Sequence, residues 1–252
     1  MSKPLIIVDK LTKSYGDKTV VDNLSFEIQK GEIFGILGPN GAGKTTTLEM
    51  MEGLRTIDSG FVTIDNIDVS NETNKIRSII GVQPQSPAFF DKTRLSELLV
   101  LCGALYGKKI NPNILLEEVQ LTEKSKSFFD DLSGGQKQRF SVAAALVNEP
   151  IVLFLDEPST GLDPQARRNL WELVESIKKK GITVILTTHS MDEAEILCDR
   201  VAIMDKGKIL VLDPPKKLID NLIKKGFKKN THIRQATLED VFIDLTGSKL
   251  RD

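Results

Sequence analysis

Cysteine is nearly absent from this chain of 252 residues: there are 2, Cys102 and Cys198. They lack the spacing of metal ligands, so they exclude a cysteine metal site and read as buried thiols of a reducing compartment. An excess of charge is missing as well. With 34 basic and 35 acidic residues the net charge is −1, and no overall basic field points to nucleic acid. Long apolar runs are also missing. The opening MSKPLIIVDK is too short in its apolar part for a signal peptide, and no segment approaches a membrane span. A role at a membrane therefore needs a partner that carries the spans. Internal repeats and low-complexity tracts are lacking too. What is present is 40% hydrophobic and 27% charged, the mix of a soluble globular protein with a real core, in one large domain or two small ones.

Short apolar runs alternate with helical patterns, which predicts an α/β fold with a largely parallel sheet. Core strands are expected at Ile33–Leu37, Ile79–Val82, Ile151–Leu155, Ile182–Thr187 and Val201–Met204, apolar almost throughout as strands covered on both faces should be. Leu5–Val8, Val20–Ile28 and Phe61–Ile64 alternate more and suggest an antiparallel side sheet. From about Pro87 to Val147 the pattern is helical, as in RLSELLVLCGALYG and QKQRFSVAAALV, which predicts a helical subdomain inserted into the α/β core of a domain spanning residues 1–215. The tail, 216–252, offers helices at Lys217–Lys225 and Thr237–Leu245. Its basic run (Lys216, Lys217, Lys224, Lys225, Lys228, Lys229, Arg234) reads as a solvated face, with contact to anionic lipid as the alternative. His232 lies there, away from every motif.

GILGPNGAGKTTTLEM holds Gly38, four residues, then Gly43-Lys44-Thr45, between a predicted strand and a predicted helix. That is the context in which this spacing makes a phosphate loop. Glycines let backbone N–H groups close on phosphate oxygens, and the helix N-terminus adds partial positive charge. The stretch Gly38, Pro39, Asn40, Gly41, Ala42, Gly43, Lys44, Thr45 and Thr46 is thus expected to bind nucleotide, with Lys44 on the β- and γ-phosphates and the Thr45 hydroxyl on Mg²⁺. IVLFLDEPSTGLDP ends a strand in Asp156-Glu157. Ligands sit beyond the carboxyl ends of such strands, so Asp156 suits a Mg²⁺ contact, through water, and Glu157 suits the group that orients or deprotonates an attacking water. His189 ends another core strand on the same edge, within reach of a γ-phosphate. Asp163 is explained as the N-cap of a helix that starts with Pro164. In DLSGGQKQRF, Ser133 and Gln136 form a capping box, but Gly134 and Gly135 are poor helix formers in its first turn.

Together GPNGAGKTT, LSGGQKQR, LFLDEP, GLD and the histidine after a strand resemble the ATP-binding subunit of an ABC transporter, over nearly the whole chain. The resemblance implies a P-loop NTPase core, ATP and Mg²⁺, and further roles. Tyr15 matches the aromatic that stacks on adenine. Gln85, preferred over the nearby Gln83, matches the glutamine that touches Mg²⁺ and couples the core to the helical subdomain. Ser133, Gly134, Gly135 and Gln136 match the signature that contacts ATP held by a second subunit. Asp163 matches the loop crossing that interface, Glu157 the catalytic glutamate and His189 the switch histidine. The chain is then expected to act as a homodimer or heterodimer on the inner face of the cell membrane, through a separate permease. DKGKILVLDPPKKLI and TLEDVFIDLTGSKLRD are similar to the ends of ATPase subunits of bacterial drug and antibiotic exporters of the daunorubicin-resistance type, while importers share much of the other text. A soluble ABC ATPase acting on nucleic acid or ribosomes, and a GTPase or small-molecule kinase, are the other readings. The first lacks its usual second cassette here, and the second has no role for LSGGQ.

Overall fold

A computed structural model of the chain describes residues 3–226. In chain order, β1 (Ile6–Tyr15) and β2 (Lys18–Ile28) form a hairpin, and β3 (Ile33–Leu37) leads through a loop into α1 (Lys44–Met51). Next come β4 (Ser59–Ile64), β5 (Ile67–Asp68), α2 (Thr73–Ile79) and β6 (Ile80–Gln83). A helical block follows: α3 (Leu95–Leu105), α4 (Pro112–Glu118) and α5 (Gly134–Leu146). The chain then alternates through β7 (Val152–Asp156), α6 (Pro164–Lys179), β8 (Thr183–Thr188), α7 (Met191–Leu197), β9 (Arg200–Asp205), β10 (Lys208–Asp213) and α8 (Pro215–Lys224).

Two sheets result. One has the order β10-β9-β3-β8-β7-β6 and is parallel except for β10, which runs antiparallel to β9. The other, β2-β1-β4-β5, is antiparallel. The apolar strands of the larger sheet divide their side chains between two cores. Leu153 and Leu155 of β7 and Val184 and Leu186 of β8 join the core under the helical block. Phe154 and Ile185 join the core against the antiparallel sheet and α1. A strand covered on both faces has no solvent side to keep polar, hence the unbroken apolar runs.

The expected strands are present; β1 runs on past the predicted Val8 to Tyr15, and β5 and β10 lie outside the expectation. Gln83, Asp156 and Thr188 pair at the carboxyl ends of β6, β7 and β8, each just past the predicted end. These polar residues break the apolar pattern but not the backbone ladder. β10 was not expected. It is a half-exposed edge strand, with Leu210 66% exposed, whose apolar run Ile209–Leu212 turns back beside β9 after Lys206-Gly207. Of the tail, α8 matches the first predicted helix. The second, at Thr237–Leu245, and His232 lie outside the described residues. Of the cysteines, Cys198 is buried but Cys102 only half-buried, and burial pushes both thiols up.

The end of α5 is tied to the larger sheet by Asn148, which is 3% exposed. Its Nδ2 donates to the carbonyls of Ile80 (2.8 Å), Arg77 (3.3 Å) and Ser78 (3.4 Å). Asn148→Ala should leave these acceptors short of a donor and cost about 1–3 kcal/mol. The urea midpoint should fall with an unchanged m-value; an unchanged midpoint contradicts the role.

Candidate functional site

The loop from Gly38 to Gly43 joins β3 to α1. Two of its glycines are required by close approach. A Cβ on Gly38 would stand 2.2 Å from the Met204 carbonyl oxygen, and one on Gly43 2.6 Å from that of Val20. Gly43 caps α1 at φ 101°, a left-handed conformation natural to glycine. Lys44 is 4% exposed. Its Nζ donates to the Gly38 carbonyl (2.9 Å) and the Pro39 carbonyl (3.2 Å) and pairs with Glu157 Oε1 (3.2 Å).

Asp156 and Glu157 arrive at the end of β7, beside β8. Asp156 Oδ1 accepts the hydroxyls of Thr45 (3.2 Å) and Thr187 (2.5 Å). Burial pushes its carboxyl up, the two hydroxyls draw it partly back, and the charges of Glu157 and Glu49 add to the rise. Glu157 sits at φ 47°, where a non-glycine residue is held only by its surroundings. Here Thr187 does the holding, accepting the Glu157 N–H on its Oγ1 (3.0 Å) and carbonyl (3.2 Å). Burial raises the Glu157 carboxyl, but Lys44, Thr160 and His189 outweigh it and hold it below the usual range. Its Oε2 meets Thr160 Oγ1 and His189 Nδ1, each at 3.1 Å. An ionised carboxylate has no proton to give, so His189 Nδ1–H is the donor.

The sequence-predicted residues thus fall into groups. Lys44, Thr45, Asp156, Glu157 and His189 form one connected cluster at the carboxyl edge of the sheet. Thr187 and Thr160 belong to it and were missed; for Thr187 the signal was the polar pair ending ILTT, out of place in an apolar strand. Tyr15 ends β1, 45% exposed, with Lys13 and Arg55 each 5.6 Å from its ring. Gln85 is exposed just beyond β6, whereas Gln83 is fully buried. Asp163 caps α6, its Oδ1 accepting the Ala166 N–H at 2.8 Å.

Ser133 and Gln136 make the capping box of α5: Ser133 Oγ accepts the Gln136 N–H (3.3 Å) and Gln136 Oε1 the Ser133 N–H (3.0 Å). Among the described residues, the side-chain hydrogen bonds of this pair do not reach Lys44, Glu157 or His189. The two glycines differ. Gly134 is exposed, and a Cβ there would meet only Leu162 at 3.7 Å. Gly135 is buried, and its Cβ would stand 2.7 Å from Ala166 Cβ. Close packing of α5 on α6 therefore explains Gly135, and only Gly134 offers bare backbone outward.

Among the described residues, no group of three or more His, Cys, Asp or Glu side chains is placed to hold a metal. Thr45 and Asp156 instead converge as a pair of hard oxygen donors, a set that fits Mg²⁺ completed by phosphate oxygens and water. Among the same residues, no helix is long and apolar enough to cross a membrane.

The profile of the family described as ABC transporter matches residues 21–160. The chain is 40% identical over 223 residues to the linearmycin resistance ATP-binding protein LnrL of Bacillus subtilis (strain 168), covering 86% of this chain and 72% of that one. It is 42% identical over 226 residues to the Nod factor export ATP-binding protein I of Paraburkholderia xenovorans (strain LB400), covering 87% and 74%. Among solved structures, cbiO1 from Clostridium perfringens, part of the ABC transporter complex cbiONQ, superposes with a TM-score of 0.79 at 28% identity, covering 96% of this chain and 99% of that one.

Proposed function

The chain belongs to the ABC transporter family as an ATP-hydrolysing subunit, and from that premise we propose that it powers export through a separate membrane permease, with each ATP site shared between two ATPase subunits. Export is supported by the names of its relatives, a resistance protein and an export protein. A drug, antibiotic or lipid-like compound is the proposed cargo. The permease supplies the membrane spans and places this subunit on the inner face of the membrane.

The observation that carries the mechanism is the line Lys44–Glu157–His189 beside Thr45–Asp156. Backbone N–H groups of the Gly38–Gly43 loop and the Lys44 ammonium bind the phosphates, and Tyr15 takes the adenine. Thr45 and Asp156, with Gln85, would hold Mg²⁺, which neutralises charge on the phosphate oxygens when bound. Glu157, kept ionised by Lys44, orients the attacking water and accepts its proton. His189 fixes the Glu157 carboxylate through Nδ1–H, and Nε2, when it too carries a proton, would donate to the γ-phosphate. Ser133 and Gly134, at the exposed start of α5, complete the site of a second subunit, and Asp163 lies at that interface.

Mixing two inactive variants tests the sharing. Gly134→Asp puts an anion where phosphate should approach, and Gly134 has room for it. It is expected to bind ATP and fail to hydrolyse it, while Lys44→Ala fails to bind. In a mixed dimer the Lys44 of one chain and the Gly134 of the other are both intact, so mixing should restore phosphate release that neither variant shows alone. Full activity of Gly134→Asp by itself would rule out the shared site.

A further inference from the structure

The segment that carries Gln85 is fastened at both ends to one helix. At its near end Gln83 closes β6, fully buried. Its Nε2 donates to the Pro84 carbonyl (2.7 Å) and to Oε1 of Gln138 on α5 (3.1 Å). At its far end the Phe89 ring lies edge-on to Phe140 of α5, centroids 5.1 Å apart, and 4.7 Å from Phe129. The helix that takes both attachments is the one that opens at Gly134.

The two attachments differ in kind. Ring contacts are non-directional and tolerate sliding. The amide bond is directional, and its polarity is set: Pro84 offers only a carbonyl, so Nε2 must face it. Gln83 Oε1 is then buried without a hydrogen-bond partner. A buried acceptor with no donor is destabilising, and methionine would fill the same space without that cost.

We propose that Gln83 and Gln138 are a positioning pair whose hydrogen bond sets the register between the Gln85 loop and α5, and so links the cation side of one ATP site to the Gly134 face of the other. The inference rests on the shared-site reading. The pair acts through Gln85 and α5 rather than on the reacting atoms. Coupling of this kind between two sites is worth about tenfold.

The test uses the full chain with its partner subunits. Gln138→Met removes the acceptor from a half-buried surface position, where folding is not at risk. Gln83→Met removes the donor. Each is expected to keep nucleotide affinity, lower kcat about tenfold and flatten the cooperativity of hydrolysis with ATP concentration. The double variant should be no worse than either single one. Gln138→Glu keeps an acceptor for Nε2 and should turn over near the wild-type rate. Wild-type kcat and cooperativity in Gln138→Met overturn the inference, as does full additivity of the two Met variants. ATP-driven dimerisation of Glu157→Gln, followed by light scattering, separates the two ideas. If that variant dimerises and Gln138→Met is normal, only the latch is lost; if it stays monomeric, the shared site and the latch fall together.

Discussion

Glu157→Gln is expected to bind ATP and to slow its hydrolysis by about 10²–10⁴-fold, the contribution of a general base. Glutamine keeps the shape of the side chain and can still receive the Thr160 and His189 contacts now at 3.1 Å. It cannot take a proton from water, and it cannot pair as an anion with Lys44, now 3.2 Å away. Losing that pair frees the ammonium for phosphate, so affinity should hold or rise while turnover collapses. Phosphate release and nucleotide binding measured on one preparation check both halves. Wild-type turnover removes Glu157 from the role. Lost binding would show instead that Glu157 is needed to hold Lys44 in place.

The second large effect concerns Glu52, which takes no part in that mechanism. It ends α1 with 3% exposure. Burial, then the charges of Asp156 and Glu49, push its carboxyl from 4.5 up to about 8. Between these two values the folded protein holds a proton that the unfolded chain releases. Stability contributed by this group is therefore full below about pH 4.5 and is lost as pH rises towards about 8. The slope approaches about 1.4 kcal/mol per pH unit in that window. Asp156, raised by its own burial, adds the same sign from a lower starting value. Glu52→Gln mimics the protonated form. Urea midpoints between pH 5.5 and 8.5 should fall steeply for the wild type and much less for the variant, which should be the more stable protein at the alkaline end. Parallel slopes would mean that Glu52 is ionised throughout.

The two effects were not equally legible in the chain. Glu157 was, because DE after an apolar strand, in a chain with a phosphate loop, has one place to go. Glu52 was not. It follows two methionines in a helix that reads as ordinary, and nothing nearby in sequence says that Asp156 will lie beside it. Gly135 shows the opposite limit. It matched the signature, so a phosphate-facing reason was natural, yet its missing Cβ makes room for Ala166 of the same chain. Gln83 was noticed only as a rival to Gln85, and its bond to Gln138 spans 55 residues of sequence.

The sequence by itself determined what depends on residue type and local spacing: the glycine-rich loop between β3 and α1, the capping box of Ser133 and Gln136, the Asp163 cap, and the apolar strands of the central sheet. The loop and the caps close their hydrogen bonds within a few residues, and a strand covered on both faces shows itself as an unbroken apolar run, so residue type and spacing are enough. Only the tertiary structure decided which of these parts meet. The parallel sheet places β8 between β3 and β7, and so brings Lys44, Asp156, Glu157 and His189 to one edge. The ionised state of Glu157, the raised carboxyl of Glu52 and the tie from Gln83 to α5 all follow from that order. Charge interactions and desolvation act through space, across separations that no local pattern records.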